Sequence, residues 1–465
     1  MAKEIFKEEK AGTRPPENKM GTQPVGKLLI TMSLPIIAAM LVQALYNIVD
    51  SIFVSQINEN ALSAVSIAFP IQNIIMALAI GCGTGANALI SRSLGAKDTK
   101  TANRVTQNAI FLAGIVYLIL LLFSIFFARP FISAMVGDAD RQIYEYGVTY
   151  LDIVCKFGFG ASFTLTFERL LNATGKTHLS PVSQAVGALV NIILDPLLIF
   201  GIGPFPELGV AGAAIATVTA QITGAAISLT LNITRNKEIS LNMKGFRPHG
   251  RTIYDICRIG IPSALIIMLN SLTTIFLNIL LIGFTETAVA VLGAYHKLST
   301  FVFMPLFGVN QALVPLYAYN LGARKKQRML QSIRSALKIG ISLMLIGTVL
   351  FLAIPGPLLS MFNASESMLT IGIIALRELA PMFPIVAVCV ILSSVMQASG
   401  YAMYSALSAL CRQIIVLVPV AYLLAWIGGL NAVWWAFLIA EVVSLIVIAA
   451  LYSKVKKAVI DTIED

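Results

Sequence analysis

Two aspartates stand in long stretches that otherwise carry no charge: Asp50 in YNIVDSIFV and Asp195 in NIILDPLLIFG. A charge at the centre of a membrane helix costs roughly 2.5–3.5 kcal/mol on insertion scales, so such residues are functional candidates by default. Asn191 lies one turn before Asp195 on the same helical face, and Thr217 follows in the next apolar run. Two carboxylates, an amide and a hydroxyl at one depth supply hard oxygen ligands for a small monovalent cation. The same pair could hold a proton, because two close carboxylates in a low dielectric cannot both stay charged cheaply. Pro196 lacks an N–H, which frees the carbonyl of Ile192 and lets its helix bend. Cys82, Cys155, Cys257, Cys389 and Cys411 show neither metal-ligand nor disulfide spacing and read as buried small hydrophobes. These residues imply a coupling ion, H+ or Na+. No cofactor, no metal beyond a monovalent cation at Asp50 and Asp195, and no enzyme activity are expected.

Other polar positions carry weaker signals. Glu378 beside Arg377, Asp152 near Lys156, and Glu441 read as structural pairs near the outer interface. His296 and Lys297 read as snorkelling or inter-lobe partners, with His296 and Glu378 kept as polar candidates of the second half. Arg412 reads as an anchor at the cytoplasmic surface. Tyr46, Met268, Met304 and Met396 are candidates for a soft, adaptable substrate surface, with Met382 beside them.

The elements that position these residues are membrane helices. Of 465 residues, 57% are hydrophobic and 12% charged, against roughly 25% charged in a soluble domain. Mean hydropathy is +0.83. The net charge of +10 does not signal nucleic acid, because the basic residues sit in short loops between apolar runs. A span needs about 20 mostly apolar residues, and twelve runs qualify: 28–55, 61–92, 103–128, 142–171, 179–201, 209–235, 254–282, 287–320, 331–354, 367–398, 402–426 and 430–453. The fourth is the least clean. It contains Asp152, Lys156, Glu168 and Arg169, so it extends past the apolar layer or packs inside the bundle. The 2–3, 6–7 and 8–9 loops and the C-terminal end carry the Lys and Arg clusters, which by the positive-inside rule places both termini in the cytoplasm of a bacterial plasma membrane protein. The first 27 residues are polar and no cleavable signal peptide is expected.

The chain also repeats itself. At an offset of 227, Pro35 falls on Pro262, Gly81 on Gly308, Leu94-Gly95-Ala96 on Leu321-Gly322-Ala323, and Pro130 on Pro357; at 225, Ala173-Thr174-Gly175 meets Ala398-Ser399-Gly400. Six spans per repeat make a parallel repeat about an axis along the membrane normal. The expected fold is an all-α integral membrane protein, twelve transmembrane helices in two pseudo-symmetric six-helix lobes. The expected organisation is an N-terminal tail (1–27), a first lobe (28–238), a linker (239–252), a second lobe (253–455) and a C-terminal tail (456–465). Two such lobes enclose a cleft open to one side at a time, a transporter architecture for which a monomer suffices. Asp50 falls on Leu277 and Asp195 on Val420, so the carboxylate site belongs to the first lobe alone.

These residues carry a family resemblance. YNIVDSIFV, NIILDPLLIFGIG followed by GVAGAAIAT, ATGKT, and MPLFGVNQAL resemble the multidrug and toxic compound extrusion (MATE) transporters. The likeness covers residues 25–455 and is strongest to the bacterial branch with its cation site in the N-terminal lobe, within it a MepA-like subgroup. The resemblance implies proton- or sodium-coupled efflux of small amphipathic organic cations through a V-shaped pair of lobes in the lipid bilayer, with the ion at Asp50, Asn191, Asp195 and Thr217. Two rivals remain. A flippase for lipid-linked sugars predicts a more cationic central cavity. A non-transporting receptor or channel predicts no gradient-driven flux.

Overall fold

In the computed structural model the described residues are 18–136, 141–362 and 364–463. The expected N-terminal tail up to residue 17, and the last two residues of the expected C-terminal tail, lie outside them. The described chain is helical without a strand. Its spans are α1 (Val25–Ser55), α2 (Glu59–Gly95), α3 (Thr99–Val136), α4 in two pieces (Arg141–Lys156 and Phe159–Ala173), α5 (Ser180–Ile199), α6 (Val210–Arg235), α7 (Gly250–Ile282), α8 (Glu286–Gly322), α9 (Lys326–Ala353), α10 (Glu366–Ala398), α11 (Ala402–Val433) and α12 (Trp435–Val455).

Eleven of these are long and apolar enough to cross a membrane. The twelfth, α4, falls short because it breaks at Phe157–Gly158 into helices of 16 and 15 residues. The break falls at Gly158, which caps the second piece, and glycine is a poor helix former. Lys156 ends the first piece in an ion pair with Asp152, while Glu168 sits buried within the second. Capping side chains open several other spans: Asn58 accepts from the Ala61 N–H at 2.7 Å, and Thr285 accepts from the Thr287 N–H at 2.9 Å. Past residue 455 the chain stays helical over Lys456–Ile460, and Ile460 is fully buried, so the start of the expected C-terminal tail is docked.

The first lobe is knit by α5 against α6, α1 against α5, and the second piece of α4 against α2 and α6. The second lobe is knit by α8 against α9, α9 against α10, and α7 against α11. Between the lobes, α2 packs on α7, and α8 packs on α1 and α2. In lipid no hydrophobic drive brings helices together, so close approach at small residues does. An ideal Cβ on Gly81 would lie 2.4 Å from the Gly260 carbonyl and 3.0 Å from Ala264; one on Gly308 would lie 2.3 Å from Ile37. Gly81 and Gly308 are repeat partners, and so are Ile37 and Ala264. Gly95 and Gly322 make the tightest approach: a Cβ on Gly95 would sit 1.9 Å from the Tyr319 carbonyl, and one on Gly322 1.9 Å from the Arg92 carbonyl. Lys97 and Arg324 repeat a positive φ, 60° and 55°, and Gly175 and Gly400 do the same at 79° and 90°.

These contacts lie in the half of the bundle nearer the face that carries Asn18 and Ile463. On that face the segment Asn18–Gln23 straps the lobes together. Asn18 donates to the Thr174 carbonyl and to Glu238, while the Met20 carbonyl accepts from Asn320 and Arg328. Toward the other face α1 has no buried residue between Ala39 and Val54. The lobes form a V, closed at the end bearing Asn18 and Ile463 and open at the other.

Candidate functional site

Five helices of the first lobe converge on the two aspartates. α1 presents Tyr46 and Asp50 one turn apart, and α5 presents Asn191 and Asp195 with the same spacing. Asp195 has no exposed surface and Asn191 is 1% exposed. Asn191 Nδ2 donates to Asp195 Oδ1 at 3.2 Å. The Asp50 and Asp195 carboxyl groups meet side chain to side chain, with Tyr46 beside both. The buried Tyr150 hydroxyl, from the first piece of α4, stands against Thr217 of α6 and Gln72 of α2, close to Asp50.

Three acceptors here are buried without a donor: Asp50 Oδ1, Asp195 Oδ2 and Asn191 Oδ1. Each unsatisfied acceptor costs about 1–3 kcal/mol, and among the described residues no Lys or Arg pairs with either aspartate. A proton shared by the carboxylates would satisfy two of these oxygens, and a small monovalent cation among them all three. No group of three or more His, Cys, Asp and Glu suited to a metal occurs among the described residues.

The site continues into the lobe. A cavity of about 90 Å³ is lined by Tyr46, Asn191, Thr217, Gln184, Gln221 and Glu168. Glu168 is 5% exposed, and both its carboxyl oxygens are held, by Ser183 Oγ and Gln184 Nε2, each at 2.8 Å. Gln184, Ala188, Asn191 and Asp195 form one stripe down α5, joining the aspartate pair to Glu168 nearer the closed face. Reading the sequence singled out Asp50, Asn191, Asp195 and Thr217, and the fold brings these four into one neighbourhood. It missed Glu168 as a site residue, although its charge had marked α4 as unusual. Gln72 and Tyr150 were missed because neutral residues in apolar runs leave no signal.

The remaining candidates are placed elsewhere. Lys156 Nζ meets Asp152 Oδ2 at 2.5 Å, a local pair as expected. Glu378 and His296 line neither cavity, and each keeps a buried unpartnered atom, Glu378 Oε2 and His296 Nε2. Met304 and Met396 are buried in side-chain packing, and neither they nor Met268 line a cavity. Arg412 requires correction. It is not a surface anchor: its Nη1 bonds Glu441 Oε1 at 2.5 Å, and its side chain lines a second cavity of about 470 Å³ between the lobes. The depth of a residue along a kinked helix cannot be counted from the nearest loop, and α11 is π-helical over Cys411–Leu417.

Two six-helix lobes packed together at one face, a cavity between them, and a cluster of buried unpartnered acceptors in one lobe are the architecture of a membrane transporter. The MatE family profile matches twice, over residues 35–197 and 262–423, one match per lobe, and the chain belongs to this family of multidrug and toxic compound extrusion transporters. It is 28% identical over 433 residues to the multidrug export protein MepA of Staphylococcus aureus, covering 92% of this chain and 93% of that one. It is 27% identical over 418 residues to a FAD transporter of Shewanella oneidensis, covering 88% and 90%. Among solved structures it superposes at a TM-score of 0.87 on a multidrug resistance MATE transporter in its outward-facing conformation, at 25% identity, covering 95% of this chain and 99% of that one. It superposes at 0.86 and 25% identity, covering 96% and 99%, on a MOP superfamily transporter from Pyrococcus furiosus described by the reverse polarity of its binding pocket.

Proposed function

We propose that this transporter exports amphipathic organic solutes by antiport with H+ or Na+, the ion binding at Asp50 and Asp195 with Asn191 as third ligand and Thr217 behind Tyr150. The observation that carries this reading is the convergence of three unpartnered buried acceptors around two facing carboxylates. Nothing structural requires such a set, since aliphatic side chains stand at the repeat positions Leu277 and Val420. In this scheme the basic closed face lies in the cytoplasm with both termini, and the open face admits the ion from outside. Ion binding removes the repulsion between the carboxylates and lets α1 draw onto α5. That favours solute release and return to the inward-facing state. Coupling follows when ion and solute prefer different states. The lobes are taken as residues 28–238 and 253–455, joined by the linker 239–252, and one chain suffices.

Amphipathic organic cations, the class the family resemblance implies, are the first solutes to test. Relatives of similar identity are named for multidrug export and for FAD transport, so likeness alone does not choose the substrate. The test is uptake of a fluorescent amphipath into proteoliposomes, driven separately by a pH gradient and by a sodium gradient. One gradient should accelerate uptake, which names the ion. Uptake insensitive to both would sink antiport.

A further inference from the structure

The two cavities are related by the internal repeat. On α4 and α10, at offset 225, Ala161, Thr164, Leu165 and Glu168 of the smaller cavity fall on Val386, Cys389, Val390 and Ser393 of the larger. On α5 and α11, Ser183, Gln184 and Gly187 fall on Ser408, Ala409 and Arg412. Each lobe therefore has the same inner chamber. The chamber of the second lobe opens into the space between the lobes, where Met40 and Ile267, Ile80 and Phe307, and Thr84 and Gln311 line it as partners at offset 227.

Their charge is opposite. The first chamber has Glu168 where the second has Ser393, and Gly187 where the second has Arg412. Arg169, on the next position of α4, faces the shared space, so that the charged side chains lining the larger cavity are Arg169 and Arg412, with no carboxylate among its lining residues. Arg169 Nη1 bonds only the neutral Gln311 Oε1, at 2.9 Å across the lobes, and no ion pair among the described residues includes it. Glu441 lies behind Arg412, its side chain 6% exposed against 25% for the arginine, and only Nη1 of the guanidinium is spent on it. Asn310, also in the lining, keeps a buried unpartnered Oδ1. Two guanidiniums with free N–H groups facing one cavity are hosts for a carboxylate or phosphate.

We propose that the inter-lobe cavity is the solute site and selects amphipaths bearing an anionic oxygen group, held by Arg169 of the first lobe and Arg412 of the second. The inference rests on the transport reading and deepens it: the first lobe's acidic chamber serves the ion, and the second lobe's basic chamber serves the solute. A zwitterionic amphipath satisfies it through its carboxylate. Two arginines without a carboxylate also meet the cationic cavity expected of a flippase for lipid-linked sugars, but a volume of about 470 Å³ lies within the range of about 300–1,000 Å³ of drug-sized pockets, which favours a soluble amphipath.

The experiment is equilibrium binding by fluorescence anisotropy to the full chain in lipid nanodiscs, with no gradient. The probes are a xanthene dye carrying a free carboxylate and its ethyl ester. The acid should bind at least about tenfold tighter than the ester. Arg169→Gln, and Arg412→Gln combined with Glu441→Gln so that no carboxylate is left unpaired, should each erase that preference, while Arg412→Lys keeps part of it. Equal binding of acid and ester by the native chain, binding of neither, or a preference that survives both glutamine variants would overturn the proposal. Competition by a polyprenyl pyrophosphate but not by a soluble aryl phosphate would assign the cavity to a lipid, against the proposal. Charge selectivity without gradient-driven uptake would contradict antiport alone; gradient-driven uptake without charge selectivity would contradict this inference alone.

Discussion

Asp195 has no exposed surface, and its Oδ2 has no donor. A buried carboxylate in that position weakens the fold, so Asp195→Asn is expected to leave the melting temperature unchanged or higher while dye efflux from cells falls at least about tenfold. A thermal melt beside an efflux assay checks both halves, and a variant that melts earlier and still exports dye would contradict the reading. Tyr150 stands between Thr217, Gln72 and Asp50, an outer layer that orients the ligands. Tyr150→Phe should raise the ion concentration for half-maximal uptake by about 10-fold or more, as for other outer-shell losses, with little change in maximal rate. The aspartates were legible in the sequence because a charge in an apolar run has to be explained, and Asn191 because it lies one turn from Asp195. Tyr150 and Gln72 were not, since only the packing of α2 against the first piece of α4 turns two ordinary residues into ligand supports. Arg412 was visible but misplaced: its role depends on Glu441, 29 residues away in another helix.

The elements were more legible than the contacts between them. Long, mostly apolar runs marked all twelve spans, the fourth least cleanly, since a bilayer admits helices only where backbone groups bond within the segment. The charges of the fourth run marked it as unusual but did not foretell its break at Phe157–Gly158. The strap formed by Asn18–Gln23 was not foreseeable, because polar residues ahead of the first span read as a tail. Asn320 is fully buried, donates to the Met20 carbonyl at 3.0 Å and accepts from Arg328 Nε at 3.1 Å. Asn320→Ala should lower stability by about 1–3 kcal/mol, read as an earlier thermal melt, without changing which ion drives uptake. The Gly95–Gly322 approach supplies a sharper test. Leucine at Gly322 would drive its Cβ into the Arg92 carbonyl, so Gly322→Leu should hold the closed face apart. Spin labels at positions 100 and 327 should then report a longer distance than in the native chain, and an unchanged distance would show that the face closes by other contacts.

At the scale of the whole molecule, the likeness of the halves and their difference do separate work. The likeness builds two chambers, a shared cavity and a seam of paired glycines between the lobes, the parts that the proposed alternating access requires. The difference assigns the roles, with Asp50, Asp195 and Glu168 in the first lobe and Arg412 in the second. The repeat was readable from landmarks at one offset. The opposite polarity of the chambers was not, because Glu168 and Arg412 mark corresponding walls only once α4 with α5, and α10 with α11, have been folded together. The central claim is that the coupling ion binds the Asp50–Asp195 pair. Its most direct test compares, in proteoliposomes, gradient-driven dye uptake with gradient-free dye exchange in Asp195→Asn. The account predicts that exchange persists while the gradient no longer accelerates uptake. Acceleration undiminished in Asp195→Asn, with the protein folded, would place the ion elsewhere and contradict the account.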